Sequence, residues 1–129
     1  ESDPLLRGRV HFTGYVSDDD LVALYSDALA ATMPSFSEGF GLPAIEAMAC
    51  GIPVLASHAA SLPEVVGDAG LYFDPHQPTQ IAQAIHRIAS EVETLAALRV
   101  NARERAAQFT WANAARLAFE HIERTAGAL

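Results

Sequence analysis

The fold turns on the stretch Leu29-Ala30-Ala31-Thr32-Met33-Pro34-Ser35-Phe36-Ser37-Glu38-Gly39-Phe40-Gly41-Leu42-Pro43-Ala44-Ile45-Glu46-Ala47. Leu29 to Met33 is short and apolar, as a buried strand would be, and Pro34 ends it. Pro43 to Cys50 reads as a short helix, because proline suits a first helical position where its missing N–H would be an orphan. Gly51 is the matching C-terminal stop. The stretch is therefore strand, glycine-bearing loop, helix. In open α/β sheets ligands bind beyond the carboxyl ends of the strands, which is where this loop lies.

The loop carries chemistry. Free N–H groups at a helix start favour an anion. Gly39 and Gly41 let the backbone come close to a bulky ligand. Glu38 on the loop can accept hydrogen bonds from sugar hydroxyls. Glu46, one turn into the helix, can reach a second pair. A phosphate between two carboxylates, each holding a diol, describes a nucleotide sugar. The competing reading makes the acids complements to the helix dipole and Gly-Phe-Gly a plain loop.

Strands and helices alternate outward from this point. Val10-His11-Phe12 alternates toward Gly14 and predicts a short strand. Ser17 caps a following helix, with Asp20 completing a capping box and Leu21, Leu24, Tyr25 and Ala28 forming an apolar stripe. Asp18, Asp19 and Asp20 suit a first helical turn better than a metal. Pro53 to Ala56 predicts a buried strand, Leu62 to Val66 a short helix closed by Gly67, and Gly70 to Phe73 the last strand. Thr79 to Val92 predicts an amphipathic helix with Ile81, Ala84, Ile85 and Ile88 on one face. Leu95 to Ala107 follows, its Arg99, Arg103 and Arg105 read as a solvated face. Thr110 caps a final helix to about Thr125, with Trp111 read as a core anchor. The alternation predicts an α/β fold: a Rossmann-like parallel sheet with helices on both faces. His58 reads as a solvated loop residue rather than a ligand donor, and Glu64 as either a cap or a crevice residue.

The chain has 129 residues, half of them hydrophobic, enough for one domain with a real core. No apolar run reaches the length of a membrane span, and the acidic Glu1-Ser2-Asp3-Pro4 is no signal peptide. The one cysteine, Cys50, predicts a reducing compartment, the cytoplasm, and a packing role. The net charge is −8, lysine is absent, and positions 10–86 hold nine carboxylates and no arginine. Nucleic-acid binding, which needs a basic face, is excluded. The same imbalance means that a bound pyrophosphate requires cations from elsewhere.

The run Pro34 to Val54 resembles the donor-site signature of retaining GT-B glycosyltransferases, the large family with sucrose synthases and bacterial mannosyl- and glucosyltransferases. Val10-His11-Phe12-Thr13-Gly14-Tyr15-Val16-Ser17 and Ser61-Leu62-Pro63-Glu64-Val65-Val66-Gly67-Asp68-Ala69-Gly70 fit that family at the right spacing. The resemblance implies that residues 1–129 are the later part of a C-terminal nucleotide-sugar-binding domain. Its opening strands, with an Arg and a Lys for the pyrophosphate, would precede Glu1. An acceptor domain of the same chain would receive the final helix, about 111–125, and could associate the parent with a membrane.

The resemblance also implies site roles. Glu38 binds the donor sugar at the reacting face, as the catalytic carboxylate. The backbone of Phe40, Gly41 and Leu42 holds the distal phosphate, Glu46 the ribose diol, and the turn at Val16 lies beside the base. The implied donor is a nucleoside diphosphate sugar of mannose or glucose type and the acceptor a saccharide or lipid-linked hydroxyl. No cofactor and no metal are expected, since the acidic metal motif of the other glycosyltransferase fold is missing. Two alternatives are a non-catalytic nucleotide-sugar-binding or scaffold domain and a sugar-nucleotide epimerase of the same architecture.

Overall fold

A computed structural model describes residues 4–127. The elements are α1 (Asp18–Asp27), β1 (Ala31–Met33), α2 (Leu42–Ala49), β2 (Val54–Ser57), α3 (Leu62–Val66), β3 (Gly70–Phe73), α4 (Pro78–Ser90), α5 (Val92–Ala106) and α6 (Trp111–Ala126). The three strands form one parallel sheet in the order β1-β2-β3, with Ala31 opposite Val54 and Val54 opposite Gly70. Parallel strands need crossover helices, and α2 and α3 supply them.

Two clusters cover the two faces, so the sheet is doubly covered as its alternation predicts. Val54 and Ala56 of β2 pack with Ala44, Ala47 and Met48 of α2, Leu62, Val65 and Val66 of α3, and Ala102 of α5. Leu55 and Phe73 face the other way, against Ala84 and Ile88 of α4 and Leu98 of α5. A strand buried on both faces reads as a continuous apolar run, which is why β2 is legible. Gly70 holds β3 close: a Cβ there would stand 2.1 Å from the Val54 carbonyl oxygen.

Several expectations fail for physical reasons. Val10 to Phe12 is not a strand. No described strand runs beside it, and a short extended segment without a partner leaves its backbone groups to water. β1 begins at Ala31 rather than Leu29 and is a half-buried edge strand, not a buried one. Leu24 of the α1 stripe is 50% exposed, and no α1 residue is fully buried. The Ser17 cap is present, accepting from the Asp20 N–H at 3.2 Å, but its hydroxyl turns back onto the Asp20 carboxylate.

The long helical region breaks at Glu91, earlier than expected. Glu91 leaves helical geometry, and its carboxylate accepts from Arg87 Nε at 2.9 Å and Thr94 Oγ1 at 2.6 Å, holding the corner between α4 and α5. These two bonds hold the Glu91 carboxyl below its usual range, Thr94 contributing most.

Two of the α5 arginines, Arg99 and Arg105, are staples rather than part of a solvated face, while Arg103 is exposed as expected. Arg99 donates to the Ala28 carbonyl at 3.4 Å, and Arg105 to those of Val65 at 3.0 Å and Glu64. Helix α6 has its Thr110 cap, accepting from the Asn113 N–H at 3.1 Å, but no buried residue. Trp111 is 93% exposed and anchors no core. It is the first residue after the cap, on a helix that no described element covers. No described helix is long and apolar enough to cross a membrane.

Candidate functional site

Three loops leave the carboxyl ends of the strands: 34–41 after β1, 58–61 after β2 and 74–77 after β3. Contacts hold them together. The Phe36 ring meets the His76 ring at 4.8 Å between centroids, joining the first loop to the third. The His58 N–H donates to the Phe73 carbonyl at 2.9 Å, and the His58 ring packs edge-on against Tyr72 at 5.6 Å. His58 is thus tied to β3 through its backbone and ring edge, and it stays exposed to solvent as expected.

Glu38 sits half-buried on the first loop inside a cradle of serines. Ser35 Oγ donates to Glu38 Oε1 at 2.6 Å. Ser57, fully buried at the end of β2, donates to the Ser35 carbonyl at 2.5 Å. Ser61 donates to the Glu38 carbonyl at 3.4 Å. A buried hydroxyl needs a partner, so Ser57 at the end of an apolar strand was the available signal for this cradle. Ending the strand at Ala56 left Ser57 outside it and so missed the cradle. The arrangement fixes one carboxylate oxygen and leaves the other oxygen's lone pairs for a ligand hydroxyl.

The glycines differ in kind. Gly41 caps α2 in the left-handed region, φ +89°, and a Cβ there would meet Leu62 at 3.0 Å. Gly39 has open space where a Cβ would stand. Helix α2 starts at Leu42, one residue earlier than expected, with Pro43 in its first turn. No side chain caps this start. The N–H of Ala44 is used by the Gly41 carbonyl, and Pro43 has none, so the N–H groups without a backbone partner at this start are those of residues 40–42. The Phe40 and Leu42 side chains are 50% and 61% exposed.

Glu46 is exposed on α2. Its charge, after burial, raises the Tyr25 phenol of α1 above its usual value, while Glu38 bonds to the surrounding serines. Val16, just before α1, lines an open groove of about 710 Å³ with Asp20, Ala23, Leu24, Asp27 and Ala28. None of Glu38, Phe40, Gly41, Leu42 or Glu46 lines that groove. Its aspartates suit no diphosphate. Cys50 ends α2, half-buried and near Tyr25. Among the described residues no three of His, Cys, Asp and Glu are grouped to hold a metal ion.

The model of the family "Glycosyl transferases group 1" matches residues 3–105. The chain belongs to this family. It is 41% identical to the serotype-specific mannosyltransferase WbdA of Escherichia coli over 124 residues, covering 96% of this chain and 15% of that protein. It is 44% identical to the Escherichia coli O-antigen chain mannosyltransferase B over 106 residues, 82% of this chain and 28% of that one. Among solved structures, sucrose-phosphate synthase from Thermosynechococcus elongatus superposes with TM-score 0.78 at 38% identity, over 96% of this chain and 33% of that chain. Anabaena HepE in complex with UDP and glucose superposes at 0.77 with 28% identity, with the same two coverages. The chain therefore spans about a third or less of the proteins it matches. Its fold is that of GT-B glycosyltransferases.

Proposed function

We propose that this glycosyltransferase-family chain is the donor-binding half of a retaining hexosyltransferase. It moves a mannose- or glucose-type sugar from a nucleoside diphosphate to a saccharide or lipid-linked hydroxyl. The observation that carries the reading is Glu38, fixed by Ser35 at the carboxyl end of the sheet, directly ahead of the uncapped start of α2. A carboxylate for the sugar and backbone N–H groups for the departing phosphate stand on one loop. The mannosyltransferase relatives and the UDP and glucose in the HepE structure support the donor class.

In this reading Glu38 binds the donor hydroxyls, the 40–42 backbone the distal phosphate, and Glu46 the ribose. Val16 borders the base. Positioning and charge stabilisation of the leaving diphosphate supply the acceleration. Retention follows from front-face attack, the diphosphate oxygen taking the acceptor hydroxyl's proton. The charge balance requires partners. Residues 10–86 hold no arginine or lysine, and Arg99 and Arg105 are spent on carbonyls of the fold. The cations for the diphosphate come from another part of the protein, as does the acceptor site, against which α6 packs.

A product assay with labelled GDP-mannose, UDP-glucose and their hydrolysis controls tests this. The protein carrying this domain transfers label to an acceptor with the anomeric configuration kept. The 129-residue chain alone shows no transfer. Turnover by the isolated chain, an inverted product, or an epimerised free donor would each overturn the reading.

A further inference from the structure

The glycine loop is propped by an aromatic from beyond the stretch that the family model matches. Between Gly39 and Gly41, Phe40 is the only side chain that can anchor the backbone, because its neighbours are conformationally permissive. The Phe40 ring meets Phe109 edge-to-face, with centroids 6.1 Å apart and planes at 82°. Phe109 lies between α5 and α6, four residues past the matched range of 3–105. It is half-buried against the first core cluster.

A second contact holds Phe109. The Arg105 guanidinium stands 5.1 Å from the centroid of its ring. The same guanidinium donates to the Glu64 carbonyl, to the Val65 carbonyl at 3.0 Å and to Gln108 Oε1 at 2.7 Å. Arg105 thus ties the end of α5 to α3, and Phe109 contacts both this tie and the loop. A Phe109 N–H to Ala106 carbonyl bond of 3.0 Å fixes the backbone.

We infer that Phe109 is a positioning residue for the Gly39–Leu42 loop, with Arg105 setting its ring, so that donor affinity depends on a residue remote from the donor. The kinetic part rests on the donor-site reading; the coupling of Phe109 to the loop does not. A loop that visits other conformations binds more weakly by the fraction of time it is competent. An edge-to-face pair contributes about 0.5–1.5 kcal/mol, equivalent to roughly a 2- to 10-fold change.

The test uses the full protein containing this domain. Phe109→Leu raises donor KM about 2- to 10-fold with kcat nearly unchanged. Amide exchange speeds up in 39–42 and not in β2. Phe109→Tyr restores both readouts. The double variant Phe40→Leu/Phe109→Leu is no worse than either single one, since both break the same contact. Unchanged loop exchange in Phe109→Leu, an equal rise in β2, or additive effects in the double variant would overturn the coupling. Loosened loop exchange in Phe109→Leu with donor KM unmoved, in a protein where Glu46→Gln also leaves donor KM unmoved, would sink the donor-site reading and leave the coupling standing.

Discussion

At the scale of residues, the two glutamates are alike in charge and differ in surroundings. Glu38 is half-buried, with one oxygen committed to Ser35. Glu46 is exposed on α2, and its charge acts on the Tyr25 phenol of α1. A group held by a fixed hydrogen bond at the reacting sugar can favour the transition state, where charge and ring geometry change. A group on the ribose binds ground and transition states equally. Glu38→Gln is therefore expected to lower kcat by about 100-fold or more, roughly 2.7 kcal/mol at the barrier. Glu46→Gln is expected to raise donor KM with a smaller loss of kcat. Steady-state kinetics with the donor varied separates them, and a near-normal kcat for Glu38→Gln would reverse the assignment.

At the scale of elements, the β1–α2 loop holds one glycine that the packing requires and one that it does not. Gly41 has a positive φ, and its missing Cβ makes room for the buried Leu62. Gly41→Ala is expected to cost about 1–2 kcal/mol of stability from the backbone conformation, with the Leu62 contact adding to it. Gly39→Ala meets nothing within 4 Å, so it should leave the denaturation midpoint in place while weakening donor binding. Denaturant titration beside donor titration reads both; a Gly39→Ala variant with unchanged donor affinity would make that glycine incidental. The strand–loop–helix order of this element was legible because apolar runs, Pro34, Pro43 and Gly51 punctuate it. The helices after β3 were legible only as far as periodicity reaches. Where α4 stops depends on Glu91 accepting from Arg87 and Thr94, and side-chain bonds of that kind leave no periodic trace. Arg99 and Arg105 were misread for a related reason: their partners are carbonyls 71 and 40 positions away. Trp111 was misread because periodicity marks an apolar stripe without saying what covers it.

At the scale of the whole molecule, the strained balance is electrostatic. The chain carries −8 at neutral pH, and two of its tyrosines sit where further negative charge is unwelcome. Burial raises the Tyr72 phenol above 10.0; Arg105 opposes that shift and Asp68 adds to it. The Tyr72 hydroxyl also donates to the Gly67 carbonyl at 2.6 Å, a bond available only to the protonated form. Burial raises Tyr25 as well, helped by Glu46 and Cys50. The sign follows from linkage. A folded-state value above the unfolded one means that the native state binds protons more tightly. That stability is fully present below pH 10 and is lost as pH rises through the folded values. The domain should therefore hold its stability from pH 7 to 9 and lose it steeply above about 10. Growing self-repulsion of an already acidic chain acts in the same direction. Tyr72→Phe is expected to cost about 1 kcal/mol at pH 7, because the bond to Gly67 goes. It should also flatten the alkaline fall, since one raised phenol no longer titrates. Denaturant melts of wild type and Tyr72→Phe between pH 7 and 11 make the comparison. An alkaline slope identical in the two would show that Tyr72 does not carry it.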